Sequence, residues 1–522
     1  MKTLNSLGRG CAAKALRKRS YIAAVTIIVA LAFLCSHSAN AQSRDMDWSA
    51  PINLSNSPQS SGRPAIVADG FGYVHVFWSE DVNGESILDI PGQLIKNGNT
   101  IFYTRWDGVS WTQPVDILFV PGDGIAEYVA VAVDKDNWLH AVWTGQSNYY
   151  HSSAPSWQAH SASSWSRPTV VATDSARTPW SADIVTDGSG NVHIVYATAG
   201  NNTGIHHTVS RDGGATWEVP TRLSGAFYPL EKSLSTVKVL VDGADRLHAV
   251  WQTNQAEGYG QAAYYARSVD GGDSWTQPVQ MGYRDAGEYD VSYPFLAAIG
   301  ESELHLVYID GPWHTGRWHR ISRDGGATWS EPSHFIEGLE GVNGYTILLT
   351  DVQEGLHLIV TMRTLGQVGG LFYTRWSGNG WSPEQLAIPD NLQTGLGAHW
   401  TAATIRLGNE MHVLWNTNFS SQAGEIWHSR AVIPGVAQVA ALPVPVIGSI
   451  AATPVATTVP AAQTASHVQS TPSANTFGQL GELPPSSQAP TSDLIPILIS
   501  VAPAVLLIIG VIAWKRIRSQ SS

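Results

Sequence analysis

The chain of 522 residues has only two cysteines, Cys11 and Cys35, and both precede residue 42. Beyond that point there is no thiol to build a disulfide framework, a thiolate nucleophile or a cysteine metal site. Charge is also sparse, at 14% of residues, and positive charge is the sparser sign. Setting aside the six basic residues before Gln42 and the three after Trp514 leaves 21 of the 30 Lys and Arg against 42 Asp and Glu, a net charge of about −21. So acidic a surface argues against nucleic acid and anionic membrane as partners. An acidic sugar would need a local cluster of Arg or Lys to outweigh that background. The 43% hydrophobic content is that of a globular chain, not a disordered one.

Long apolar runs are confined to the two ends. Lys2, Arg9, Lys14, Arg17, Lys18 and Arg19 precede an apolar stretch from Tyr21 to Leu34, and Ala39-Asn40-Ala41 follows before Gln42. This order reads as a signal peptide over residues 1–41 with a small-residue cleavage site. Cys35 ends a Leu-Ala-Phe-Leu-Cys stretch, but Leu34 stands where a lipoprotein signal needs a small residue, which argues against lipidation. At the other end, residues 494–514 are long and apolar enough for a transmembrane helix, and Lys515, Arg516 and Arg518 follow directly. The positive flank places the 515–522 tail in the cytoplasm and everything before Leu494 outside, a single-pass cell-membrane protein. Residues 434–493, rich in Ala, Pro, Val, Thr and Ser, read as a stalk.

The interior, 42–433, is a repeat. Seven times a short apolar strand carries a histidine: His75, His140, His193, His248, His305, His357 and His412, about 56 residues apart on average. Most are preceded by a strand ending in Asp and a polar turn, as at Asp69, Asp134, Asp187, Asp242 and Asp351. Two such strands form a hairpin, and a third and fourth follow; the fourth begins at a Trp and soon meets a Pro, as in Trp111-Thr112-Gln113-Pro114. Four antiparallel strands at this period are blades of an all-β propeller, with seven blades expected and six the alternative. The seventh repeat lacks its fourth strand, and the mature N-terminus opens with the missing piece, Trp48-Ser49-Ala50-Pro51. The first strand is therefore expected to close the ring. Seven histidines on seven blades are too dispersed for one metal and read as a repeated packing or hydrogen-bonding device. No cofactor and no metal is implied.

Three repeats carry Ser-x-Asp-x-Gly-x-x-Trp: Ser210, Asp212, Gly214 and Trp217; Ser268, Asp270, Gly272 and Trp275; Ser322, Asp324, Gly326 and Trp329. Degenerate copies run from Trp106 to Trp111 and from Trp376 to Trp381. The pattern resembles the Asp box (BNR repeat) of the sialidase superfamily, over roughly residues 48–430. Its aspartates are expected to be structural: Asp binds turn N–H groups, Gly supplies positive φ and Trp plugs the core.

Counting back from the turn of each first strand gives the residues expected at the axial mouth. These are Arg63, Glu127 and Tyr128, Arg177 and Trp180, Glu231 and Lys232, Asp290 and Tyr293, Asn343 and Tyr345, and His399 and Trp400. The resemblance implies a tyrosine nucleophile, a glutamate activating it, an acid/base aspartate and three arginines on a substrate carboxylate. Gly62-Arg63-Pro64-Ala65 resembles the segment of the first arginine, and Asn343-Gly344-Tyr345-Thr346 that of the nucleophile. Glu231 falls in a blade suited to the activator. No arginine stands at the matching start in blades four to six, and no single aspartate stands out as the acid; Arg177, Arg284 and Arg363 are the substitutes from loops. Tyr345 and Glu231 are thus the catalytic candidates, and Arg63, Arg177, Trp180, Tyr293 and Trp400 the sugar-contacting ones. Three functions remain open: a glycan-binding surface protein, an exo-sialidase-type hydrolase, and a protein-interaction scaffold.

Overall fold

The computed structural model describes residues 45–81, 86–90, 93–96, 100–120, 126–145, 147–173, 181–199, 203–224, 234–254, 260–284, 291–311, 316–336, 339–364, 369–390, 399–417 and 424–445. The expected signal peptide, most of the expected stalk, the expected span and tail, and Arg177, Trp180 and Glu231 lie outside them. So do Lys232 and Asp290. Among the described residues no helix is long and apolar enough to cross a membrane.

Seven four-stranded antiparallel sheets follow one another along the chain. Their first strands are Ser61–Ala68, Glu127–Val133, Ala182–Thr186, Leu234–Val241, Val291–Ile299, Leu339–Thr350 and His399–Arg406. Each packs against the first strand of both neighbouring sheets, and the seventh packs against the first, so these strands form a closed inner ring. The fold is a seven-bladed propeller; the six-bladed alternative is excluded. Every histidine strand is the second of its blade, and its seven or more residues are almost wholly buried because both faces meet a neighbouring blade. Blade one also carries a hairpin, Ser86–Ile90 with Gln93–Lys96, between its second and third strands.

Closure occurs as expected. Ile52–Asn53 pairs with the third strand of blade seven, Ile426–Val432, in the register Ile52 to His428 and Asn53 to Trp427. Backbone bonds from Ser49 N to Arg430 O (2.8 Å) and Leu54 N to Ile426 O (2.7 Å) extend the join on both sides. The core is not central. It is divided into seven apolar clusters, each lying between two adjacent blades. Trp78, Trp143 and Trp251, all but fully buried, anchor three of them.

The seven histidines form one device repeated per blade. In blade one the Tyr103 hydroxyl donates to His75 Nδ1 (2.8 Å), and His75 Nε2 donates to Asp69 (3.2 Å). A carboxylate only accepts, so its partner nitrogen carries the proton, and Nδ1 is left to accept from the third strand. Tyr265 and Tyr373 repeat this with His248 and His357. In the other four blades a second histidine replaces the tyrosine: His151, His207, His319 and His428. Where the turn aspartate is missing, a glutamate two residues before the histidine stands in: Glu303 at 2.9 Å from His305, and Glu410 at 3.6 Å from His412. Burial drives His151, His207 and His319 down to about 3 and His428 well below its ordinary value, so these rings are neutral.

Six of these seven third-strand rings then meet an aromatic ring of the next blade. Trp217 packs on His151 at 5.1 Å, Trp275 on His207 at 5.2 Å, Trp329 on Tyr265 at 5.0 Å and Trp111 on His428 at 4.9 Å. The Ser-x-Asp-x-Gly turns position Trp217, Trp275 and Trp329. Asp212 Oδ1 accepts from Thr216 N (2.8 Å), and Ser210 Oγ accepts from Gly214 N (2.7 Å), with Gly214 at φ 91°. The turns of Asp270 and Asp324 repeat the same bonds. The hydroxyls of Thr216, Ser274 and Thr328 also donate to these aspartates, and with the backbone bonds they hold all three low in the service of the turn.

Candidate functional site at the axial mouth

Six of the seven inner strands begin with a bulge. The register with the second strand skips between Ser61 and Pro64, Glu127 and Ala130, Ser235 and Lys238, Ser292 and Phe295, Gly341 and Thr346, and His399 and Ala402. Bulged residues leave the ladder, and at the start of an inner strand they can turn toward the axis. Within these bulges Tyr128, Thr236, Tyr293 and Trp400 adopt left-handed backbone, with φ of 49°, 51°, 49° and 36°. For a residue with a Cβ that conformation costs about 1–2 kcal/mol, so the fold holds strained aromatic residues at this end of the ring.

The bulges bring five side chains into one arc across consecutive blades two, one, seven, six and five. The Arg63 guanidinium lies between two rings, 3.9 Å from the centre of Tyr128 and 3.3 Å from that of Trp400. Trp400 packs on Tyr345 at 4.8 Å, and Tyr345 on Tyr293 at 4.9 Å. All five residues are half-buried, each with part of its surface open to solvent. No ion pair holds Arg63 among the described residues. Burial pushes the Tyr345 phenol well above its ordinary value, and Tyr293 adds to the rise while the Arg63 charge opposes it. Tyr345 is therefore a neutral hydroxyl at any physiological pH.

Arg63, Tyr293, Tyr345 and Trp400, read from the sequence as separate candidates, are thus neighbours. Tyr128, named there as a mouth residue, completes the stack by covering the second face of Arg63. Asn343 and His399 lie in described inner strands, and Glu127 opens another. Arg284 is committed elsewhere, its Nε donating to Asp310 at 2.5 Å. Among the described residues on the other side of the ring, Lys238 pairs with Asp183 at 3.4 Å and sits 5.6 Å from the centre of Phe295. Sequence reading missed that pair, although both residues stand in inner strands. Among the described residues no group of three or more His, Cys, Asp or Glu side chains is arranged to hold a metal ion.

No family model matches the chain, and no curated protein matches it. Solved structures do. One is a protein of unknown function from Dyadobacter fermentans, 14% identical, aligned over 74% of this chain and 99% of that one, with a TM-score of 0.47. Another is a point mutant of the NanB sialidase of Streptococcus pneumoniae, 13% identical over 76% of this chain and 72% of that one, with a TM-score of 0.42. A third is an ulvan lyase of polysaccharide lyase family PL25, 10% identical over 72% and 95%, with a TM-score of 0.49. These are distant likenesses, and the functional argument rests on the mouth itself.

Proposed function

We propose that this chain is a cell-surface, sialidase-like Asp-box propeller that recognises carbohydrate at its axial mouth, an acidic sugar above all. The observation that carries the reading is the arc of Tyr128, Arg63, Trp400, Tyr345 and Tyr293. A ring of half-open aromatic faces with a few polar groups suits a sugar, whose C–H faces are apolar and whose edges are hydroxyls. Both faces of the Arg63 guanidinium are covered, so its N–H donors are available only at the edge, in the plane of the fork. That geometry matches a carboxylate taken in two parallel hydrogen bonds. Arg63 places a positive charge where the ligand would sit. The signal peptide, the stalk and one C-terminal helix would display this mouth outside the cell.

A second reading, hydrolysis of a terminal sialic acid, draws on the nearness of Tyr345 to Arg63. Tyr345 would attack the anomeric carbon, and Glu231 would take its proton. A phenol raised by burial is a poor nucleophile without such a base. An ectodomain preparation tested on a glycan array and on a fluorogenic sialoside separates the two. Binding of acidic glycans without turnover supports recognition, turnover supports the hydrolase, and the absence of both would overturn either reading of the mouth.

A further inference from the structure

At the far end of the inner strands, away from the mouth, a turn N–H ties neighbouring blades at four of the seven junctions among the described residues. Gly70 N donates to Asn137 Oδ1 (2.7 Å) between blades one and two, and Gly188 N to Asp245 Oδ1 (2.7 Å) between three and four. Gly243 N donates to Gly300 O (3.0 Å) between four and five, and Val352 N to Gly408 O (3.1 Å) between six and seven. Between blades seven and one the turn-to-turn bond is made by a side chain, Arg406 Nε to Gly72 O at 2.6 Å. No turn N–H crosses that junction among the described residues, nor those between blades two and three and five and six; the seventh-to-first junction differs in having the exit segment beside it.

The chain leaving the last strand crosses it instead. After Val432, Ile433 N donates to Asn409 O (2.8 Å), and Asn409 Nδ2 to Val436 O (3.0 Å). Ile433 and Val436 are buried in the cluster between blades six and seven. The segment then donates from Val439 N to Leu407 O (2.9 Å) on blade seven, and from Leu442 N to Gly70 O (2.8 Å) on blade one. Val439 and Leu442 are 46% and 52% exposed, so this part is held by backbone bonds and not by core packing.

We propose that residues 433–442 are a second clasp of the propeller. The ring is then fastened twice at the same junction region, at its outer edge by Ile52–Asn53 and at its axial end by the exit segment. The chain departs from the face opposite the mouth. The clasp does not depend on the carbohydrate reading above.

The test is amide hydrogen exchange on the full chain, with no ligand needed. The Val439 and Leu442 amides should exchange at least about tenfold more slowly than those of Ala440 and Ala441, which donate to no group among the described residues. The double variant Val439→Pro, Leu442→Pro removes both donors and should lower the thermal midpoint by roughly 2–4 °C, while Val444→Pro, beyond the last bond, should leave it unchanged. Exchange of both amides at the rate of unstructured chain would overturn the clasp, as would a double variant as stable as wild type. Loss of glycan binding plays no part in either readout, so this proposal and the carbohydrate reading fail separately.

Discussion

Acid should loosen this propeller well before its carboxylates titrate. His151, His207 and His319 hold their pKa near 3 in the fold, against about 6.5 in the unfolded chain. A group whose pKa is depressed by folding contributes stability that is complete above the unfolded value and lost as pH falls toward the folded one. The window therefore runs from about 6.5 down to about 3. At pH 5 the unfolded chain has taken up protons that the folded one refuses, which costs about 2 kcal/mol per ring and about 6 kcal/mol for the three. His428 and the second-strand histidines His193, His248 and His357, also lowered by burial, add in the same direction. The buried aspartates Asp69, Asp187 and Asp351 are lowered from about 3.8, so their share is lost only below that pH, and a measurement at pH 5 isolates the imidazoles. Urea denaturation at pH 7.5, 6, 5 and 4 should show a constant midpoint above about 7 and a steep fall beneath it. His207→Tyr is the sharper test, because Tyr265 already fills the same position in the next blade, bonds its histidine through the hydroxyl, and lies against the turn glycine Gly326. The variant should fold and regain about 2 kcal/mol at pH 5. Stability that is flat between pH 7 and 5, or a His207→Tyr protein with the wild-type slope, would refute the reasoning.

Gly326→Ala places a methyl on the Tyr265 hydroxyl at a backbone φ of 78°, and should cost about 2–4 kcal/mol by denaturant unfolding; Gly378→Ala, at φ 91° with open space around it, should cost about 1 kcal/mol. Deleting residues 46–56 removes the closing strand, the buried Met46 and the Trp48 edge against Tyr373, and should lower stability by several kcal/mol, read as a drop in the thermal midpoint of the propeller. If the protein hydrolyses sialosides, Tyr345→Phe should abolish most turnover in a fluorogenic assay while circular dichroism stays native, and hydrolysis that survives the change would remove Tyr345 from the mechanism.

The blade count and the closure were legible because each rests on local patterns repeated many times: a histidine strand every 56 or so residues, and one missing Trp-Pro strand matched by Trp48 to Pro51. The mouth residues were legible singly, since counting back from a turn finds the start of an inner strand. Their contact was not. It depends on bulges whose left-handed positions are held by Tyr128, Tyr293 and Trp400, where no glycine announces the conformation. The partners of the seven histidines were half legible: the turn aspartates were seen, whereas Glu303 and Glu410 sit at a different spacing and the third-strand Tyr or His alternates without rule. The exit segment reads as stalk because its residues are small and apolar without period, and its bonds are backbone bonds to turns, one of them hundreds of residues away. Such bonds leave no mark on side-chain identity.

The central claim, the proposed recognition of an acidic sugar at the axial mouth, is tested most directly by calorimetry of the protein with 3′-sialyllactose and with lactose, for wild type, Arg63→Lys and Arg63→Gln. The account predicts that the acidic sugar binds the wild type more tightly than the neutral one. It also predicts that Arg63→Lys, which keeps the charge but loses the fork, weakens only the acidic sugar by about tenfold, and that Arg63→Gln weakens it further. Equal affinity for the two sugars in all three proteins, or no binding of either, would contradict it.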